Sequence, residues 1–356
     1  MNILLFVIQD TYTGGAECVL HQVADYYLKK GNEVYVLFYM AKKYGHWEDV
    51  NKPQLHLLYG GGLGNLVSNI LELRKVKFDY SYSSLVDLTG MLGFFRRMHL
   101  VHIKTMVGRE STSIFDRFKG FGLWRKKMMY YLGYPAVDVL ICQTNYMKAR
   151  LLHFQSWIDK NSKVVVIPNP VDARLMKIMG QEDSNDIPNF PYIVTAGRFI
   201  HEKGYDILID AFNILKKNLP ELKLVILGDG DLRKSLEDQV KTLGLKDDVM
   251  MPGFSKNVYP WFRNAKLCVI SSRVEGFPNV LLQMMSQNER VVSTLCAGDI
   301  DKIKGLTTSL SNDFKALAAA MEKSLSQNET KTNRDLFDEE LKGRSIDSFI
   351  NKVETS

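Results

Sequence analysis

Short apolar runs alternate with longer segments of helical period along the whole chain. Residues 1–8, Met-Asn-Ile-Leu-Leu-Phe-Val-Ile, read as a buried first strand. A helix is predicted over about 16–30, with Val19, Leu20, Val23, Tyr26 and Tyr27 on one face and Gly31 placed to cap its end. Residues 33–39 form the next predicted strand, so the chain opens with a βαβ unit. Further strands are predicted over 79–84, 100–107, 137–142 and 163–167, with helices between them. A second series starts with a strand at 192–196 and a helix over 205–218, stopped by Pro220. It continues with a strand at 222–227, a helix over 232–242 and strands at 249–251, 267–270 and 290–294. A helix from about residue 280 separates the last two strands. After about residue 328 the chain is charged and poor in apolar groups until Ile346, Phe349, Ile350 and Val353, whose spacing predicts a last helix. Alternation of this kind predicts an α/β protein with parallel sheets covered on both faces.

The 356 residues suffice for two domains. Residues 173–190 turn polar and contain prolines, as a linker does. The expected division is a first domain over 1–172, a linker over 173–190 and a second domain over 191–335. A C-terminal helix within 336–356 is expected to pack back towards the first domain. No run of about eighteen apolar residues occurs, so no spanning helix is expected. The first residues lack the basic head of a signal peptide. Cys18, Cys142, Cys268 and Cys296 lie far apart in or beside apolar runs, which fits reduced core thiols in the cytoplasm. The net charge of +6 is mild, and the basic residues are too dispersed for a nucleic-acid protein. One region departs from this average. Between residues 114 and 131, Phe115, Phe118, Phe121, Leu123, Trp124, Met128 and Met129 interleave with Arg117, Lys119, Arg125, Lys126 and Lys127. Phe94-Phe95-Arg96-Arg97 has the same character. Two readings fit: a core helix with a solvated basic face, or a segment lying on an anionic membrane, at the inner face of the cell membrane.

Candidate chemistry sits in the loops that follow strands, because ligands of parallel sheets bind outside the carboxyl ends of the strands. The most informative stretch is 271–286, where an apolar strand runs through Ser271-Ser272 into Glu275-Gly276-Phe277-Pro278-Asn279 and then a helix containing Gln283. The start of such a helix offers free amides and the positive end of a dipole to a phosphate. Glu275, just ahead of it, suits a sugar hydroxyl instead. In the loop 197–204, Arg198 offers a planar fork and Lys203 a point charge, a pair that would neutralise a diphosphate. Gly14 and Gly15, between the first strand and its helix, let a ligand approach the backbone. Neither these glycines nor Gly228-Asp229-Gly230 has the full dinucleotide spacing, which argues against a dehydrogenase. The glycine-rich stretch 60–65 reads as a plain loop. Arg109 and Glu110, after a first-domain strand, are expected acceptor contacts, with a surface ion pair as the alternative. No carboxylate pair has metal-ligand spacing, and no metal or cofactor is expected.

Taken in order, these motifs form a set: Gly14-Gly15-Ala16-Glu17, the run 167–172 (Ile-Pro-Asn-Pro-Val-Asp), Gly197-Arg198 with Lys203-Gly204, Gly228-Asp229-Gly230, Gly253 and Glu275-Gly276-Phe277-Pro278-Asn279. The set resembles the retaining glycosyltransferases of family 4, over nearly the whole chain and most specifically from 167 to 286. That resemblance implies the GT-B fold, two Rossmann-like doubly wound domains facing a cleft. It implies transfer of a sugar from a nucleotide sugar, with UDP favoured, to a glycan or lipid-linked saccharide in cell-surface polysaccharide synthesis. By match, Arg198 and Lys203 would bind the donor diphosphate, Glu275 the sugar, and Gly276, Phe277, Pro278 and Asn279 both groups. Gly14 and Gly15 would cap the diphosphate, with Gly197, Gly228 and Gly253 completing the donor loops. The family's second acidic residue, which binds the ribose, is here Gln283. Two alternatives share the fold: a non-hydrolysing sugar-nucleotide epimerase and a non-catalytic nucleotide-sugar binding protein.

Overall fold

The apolar runs pair in parallel throughout. The computed structural model describes residues 1–10, 15–40, 45, 47, 52–182, 186–327 and 331–356. The chain divides into one unit of residues 1–170 and 346–356 and a second of residues 171–345.

The first unit carries the strands β1 (Asn2–Val7), β2 (Glu33–Phe38), β3 (Leu55–Tyr59), β4 (Lys77–Ser84), β5 (His102–Arg109), β6 (Val139–Cys142) and β7 (Lys163–Val166). They lie in the order β3-β2-β1-β4-β5-β6-β7. The winding direction therefore reverses between β1 and β4. Helices cover both faces, so β1 is buried along almost its whole length. Helix Gly15–Lys29 packs Val19, Leu20, Val23 and Tyr27 into the same core as Phe349, Ile350 and Val353 of helix Ile346–Glu354. The Tyr27 hydroxyl donates to the Glu354 carboxylate at 3.0 Å and meets the Tyr82 hydroxyl at 2.8 Å. On the other face, helices Val86–Arg97 and Gly120–Gly133 meet at glycines. A Cβ on Gly133 would collide with the backbone of Gly90, and one on Gly93 with the backbone of Gly133.

The second unit carries β8 (Tyr192–Ala196), β9 (Lys223–Leu227), β10 (Val249–Gly253), β11 (Leu267–Ile270), β12 (Val291–Thr294) and β13 (Thr307–Ser309). Their order is β10-β9-β8-β11-β12-β13, which reverses between β8 and β11. All residues of β8 and β11 are buried.

Besides adding strands β3 and β13, the structure departs from the sequence expectations at four places. Strand β5 runs on to Arg109, which places that residue inside the sheet. Residues 173–179 of the expected linker form helix Ala173–Met179, because the Asp172 carboxylate caps it by accepting from the Leu175 amide at 2.8 Å. The polar tail contains helix Lys331–Lys342, whose buried stripe includes Phe337 and Leu341, one turn apart. The expected C-terminal segment 336–356 is accordingly split, since the division falls between Ser345 and Ile346.

Candidate active site

Neighbouring strands β8 and β11 pair with Leu267 opposite Ile193, so the loops that follow them emerge side by side at the reversal point of the second sheet. This adjacency brings Lys203 against Glu275, with Arg198 in the same loop as Lys203. The loop after β8 is held by its neighbours. The Phe199 amide donates to Asp229 O at 2.8 Å, and a Cβ on Gly228 would collide with Gly197 O. Gly228 is therefore a close-approach glycine between two loops. Its amide donates to Gly253 O at 2.8 Å, which links the loop after β9 to that after β10. Arg233 supports this stack from below: it donates to Asp229 Oδ1 at 2.7 Å and to Gly228 O at 3.0 Å, with its guanidinium 5.1 Å from the Phe199 ring centre.

The loop after β11 is fixed from the side of β12. Thr294 Oγ1 donates to Ser272 O at 2.6 Å, and the Glu275 amide donates to Cys296 O at 2.7 Å. The Glu275 carboxylate accepts from Ser272 Oγ at 2.9 Å and from Lys203 Nζ at 2.6 Å. Gly276, Phe277 and Pro278 are buried, and the Arg344 guanidinium stacks 4.8 Å from the Phe277 ring centre. Helix Asn279–Gln287 then begins, with no acidic side chain in its first turn and no side-chain cap. Its opening amides face no carboxylate of their own turn. Gln283 lies one turn on, and its amide nitrogen approaches the Tyr259 hydroxyl at 3.4 Å. That leaves the Gln283 carbonyl oxygen as an acceptor. Arg198 is exposed, and its guanidinium has no hydrogen bond or ion pair among the described residues. Among the described residues the result is one uncommitted cation in the loop after β8, one cation paired to a carboxylate, and one helix start.

In the first unit Gly14 falls outside the described residues, and Gly15 opens helix Gly15–Lys29. Arg109 and Glu110 are only 3% and 2% exposed, so the alternative of a surface ion pair is excluded. Arg109 donates to Ser84 Oγ at 3.4 Å and to Asn169 Oδ1, while its Nε has no partner. Burial lowers its pKa to about 10, against the pull of Glu110 and Glu17. Glu110 accepts from Tyr134 Oη at 2.6 Å and Tyr130 Oη at 3.1 Å. Burial pushes its pKa up to about 7, with the two tyrosine bonds opposing. Among the described residues, no three His, Cys, Asp or Glu side chains come together as metal ligands would.

Sequence reasoning passed over Arg273 and Asp206, which bind each other beside the site. A charge placed between the two serines and Glu275, in a stretch that is otherwise apolar or small, was the signal for Arg273.

Residues 181–336 match the family model described as glycosyl transferases group 1, and residues 13–175 match that of glycosyltransferase family 4. The chain is 30% identical over 183 residues to an uncharacterized glycosyltransferase of Methanocaldococcus jannaschii, covering 49% of this chain and 44% of that protein. It thus spans less than half the length of the first curated relatives it matches. It is 26% identical to the GalNAc-α-(1→4)-GalNAc-α-(1→3)-diNAcBac-PP-undecaprenol α-1,4-N-acetyl-D-galactosaminyltransferase of Campylobacter jejuni, over 84% of this chain and 81% of that one. Among solved structures, HepE of Anabaena in complex with UDP superposes with a TM-score of 0.77 at 16% identity, covering 100% of this chain and 99% of that chain. At that identity the likeness speaks for the fold.

Proposed function

The chain belongs to the glycosyltransferases of group 1 and family 4 and has the GT-B fold, and on that premise we propose that it moves a sugar from a UDP-sugar to a hydroxyl of a lipid-linked saccharide or glycan, with retention of the anomeric configuration. The observation that carries this reading is the contact of Lys203 with Glu275 between two loops at the reversal point of one sheet, with Arg198 in the loop of Lys203 and helix Asn279–Gln287 starting just after Glu275. Arg198 and Lys203 hold the donor diphosphate, and the amides of Gly276 to Asn279 add hydrogen bonds to it. Glu275 accepts from hydroxyls of the transferred sugar, and the Gln283 carbonyl accepts from the ribose. As the bond from the anomeric carbon to the diphosphate oxygen breaks, charge collects on the leaving group. Fixed cations and helix amides aimed there stabilise that charge without reorganising. The acceptor hydroxyl attacks from the same face, and its proton passes to an oxygen of the departing diphosphate. In this reading the leaving group is neutralised by the chain's own cations, with no metal.

Two similarities support the choice of substrates. HepE was solved with UDP, and the Campylobacter relative is named for action on an undecaprenol-linked saccharide. A lipid-linked acceptor calls for a membrane contact at the cytoplasmic side, and helix Gly120–Gly133 supplies a face for it. Phe121, Trp124 and Tyr131 are 76%, 56% and 57% exposed, and with Met128 they follow helical spacing along one stripe. Lys119 and Arg125 are exposed beside them. Among the described residues, no helix is long and apolar enough to cross a membrane.

Titration calorimetry of the full chain with UDP, GDP and NAD, beside an Arg198→Ala variant, tests the donor site. Binding of UDP that Arg198→Ala weakens supports it. Binding of none of the three, or of UDP equally well by the variant, sinks it.

A further inference from the structure

We infer that Arg273 and Asp206 are positioning residues of the donor site, a clamp that holds Lys203 in register with Glu275 while the donor is bound. The inference rests on the reading of Lys203 and Glu275 as donor-binding groups. Arg273 lies in the loop after β11, and Asp206 lies in the first turn of helix Tyr205–Lys216, which follows the loop after β8. The guanidinium meets the carboxylate through both nitrogens, NH1 to Oδ1 at 2.8 Å and NH2 to Oδ2 at 2.6 Å. The same NH1 donates to His201 O at 2.8 Å, and the Arg273 amide donates to Glu202 O at 2.7 Å. Ser271 Oγ donates to Lys203 O at 2.9 Å. Gly204 adopts φ +62°, and a Cβ there would collide with Ser271 O. Every residue from 201 to 204, and Asp206 after them, thus bears on residues 271–273.

The need for this stitching follows from the ion pair between Lys203 and Glu275. That pair joins the two loops directly. A bound diphosphate draws Lys203 towards its own charge, and a sugar hydroxyl engages Glu275. The direct link is then broken at the moment the geometry matters most. The bidentate Arg273–Asp206 pair touches neither group and stays intact. Its fork fixes an orientation as well as a distance, which a lysine in place of arginine cannot reproduce. Asp206 is 46% exposed and Arg273 15%, so the pair adds little to folding stability on its own. Its effect falls on placement.

The test measures UDP affinity by calorimetry and melting temperature for Arg273→Lys, Asp206→Asn, Lys203→Ala and the Arg273→Lys/Lys203→Ala double variant. The expected result is UDP binding weakened about tenfold by Arg273→Lys and by Asp206→Asn, since a displaced binding group loses much of its contribution. Melting should stay close to that of the parent. In the Lys203→Ala background, Arg273→Lys should have almost no further effect on affinity, because it acts through Lys203. If Lys203→Ala weakens UDP but Arg273→Lys and Asp206→Asn do not, the clamp is wrong and the donor site stands. Full additivity in the double variant also overturns the clamp. If Lys203→Ala leaves affinity unchanged, the donor-site reading and the clamp fall together.

Discussion

The Lys203 ammonium lies 2.6 Å from the Glu275 carboxylate, with both side chains 18% exposed. A cation suited to a diphosphate is therefore neutralised by the carboxylate suited to a sugar. On the proposed reading, a donor carrying both groups would satisfy each partner as it separates them, and UDP alone would separate them with nothing to offer Glu275. Glu275→Gln should thus bind UDP as tightly as the parent chain or up to a few-fold more tightly, since the competing charge is gone. Transfer should drop by at least about a hundredfold, as for other lost transition-state contacts. Calorimetry decides the first half: weaker UDP binding by Glu275→Gln would mean that the carboxylate does not compete for Lys203.

Gln283 should respond in the opposite direction. A charged acceptor makes a stronger bond to a hydroxyl than a neutral one, by about 1 kcal/mol. Gln283→Glu is expected to tighten UDP binding about fivefold. Unchanged affinity for both UDP and uridine would place the ribose away from this helix.

The first unit has a pH signature. The folded chain holds the Glu110 proton up to about pH 7, against an ordinary value of 4.5, because the side chain is buried. Ionising Glu110 in the fold therefore opposes stability. Its contribution is complete below about pH 4.5 and is lost as pH rises towards 7. At about 1.4 kcal/mol for each tenfold change in proton affinity, the loss is roughly 3 kcal/mol. The melting temperature of Glu110→Gln, compared with that of the parent chain, should rise in relative terms between about pH 5 and pH 8. A constant offset across that range would show that Glu110 does not titrate there.

Two glycines of one helix should behave in contrast. Alanine at Gly133 would force Cβ into the backbone of Gly90, where neither helix yields easily, so Gly133→Ala should cost about 3 kcal/mol. A Cβ on Gly122 would sit 3.7 Å from the Phe118 ring, an ordinary contact, and Gly122→Ala should be neutral or stabilise by about 0.5 kcal/mol. Thermal denaturation of the two variants separates close helix packing from mere helix propensity. Equal effects would refute the packing account.

The exposed stripe on helix Gly120–Gly133 gives a prediction for vesicle flotation. The parent chain should float with vesicles containing anionic lipid. Trp124→Glu should reduce flotation several-fold by removing apolar area and adding a repelled charge. Equal flotation with purely zwitterionic vesicles would remove the role of Lys119 and Arg125.

Much of the fold could be read from the sequence because its strands are buried on both faces and so appear as continuous apolar runs. Strands β8 and β11 were located to the residue for that reason. Strand β3 escaped because each of its five positions is half-buried, and β13 because it has three residues. The helix Lys331–Lys342 hid behind a narrow apolar stripe on a charged surface. For the candidate site, the nearness of Lys203 to Glu275 could be anticipated, since both lie in glycine-bearing loops that follow apolar strands. The partnership of Arg273 with Asp206 was not visible, because 67 residues separate them and only the strand order brings them together. The burial of Arg109 and Glu110 was not visible, because β5 runs two residues beyond its apolar core and carries a charged residue inside the sheet.

The helix Ile346–Glu354 also sets a schedule for making the protein. The first unit takes residues 1–170 from the start of the chain and residues 346–356 from far beyond them. On the ribosome, every strand of its sheet is made before the intervening unit, yet the surface that receives Phe349, Ile350 and Val353 stays bare until that unit has been synthesised. Tyr27 and Tyr82 wait for the Glu354 carboxylate over the same interval. A nascent chain halted within the second unit would thus carry an apolar patch on its first, open to chaperones and to other nascent chains.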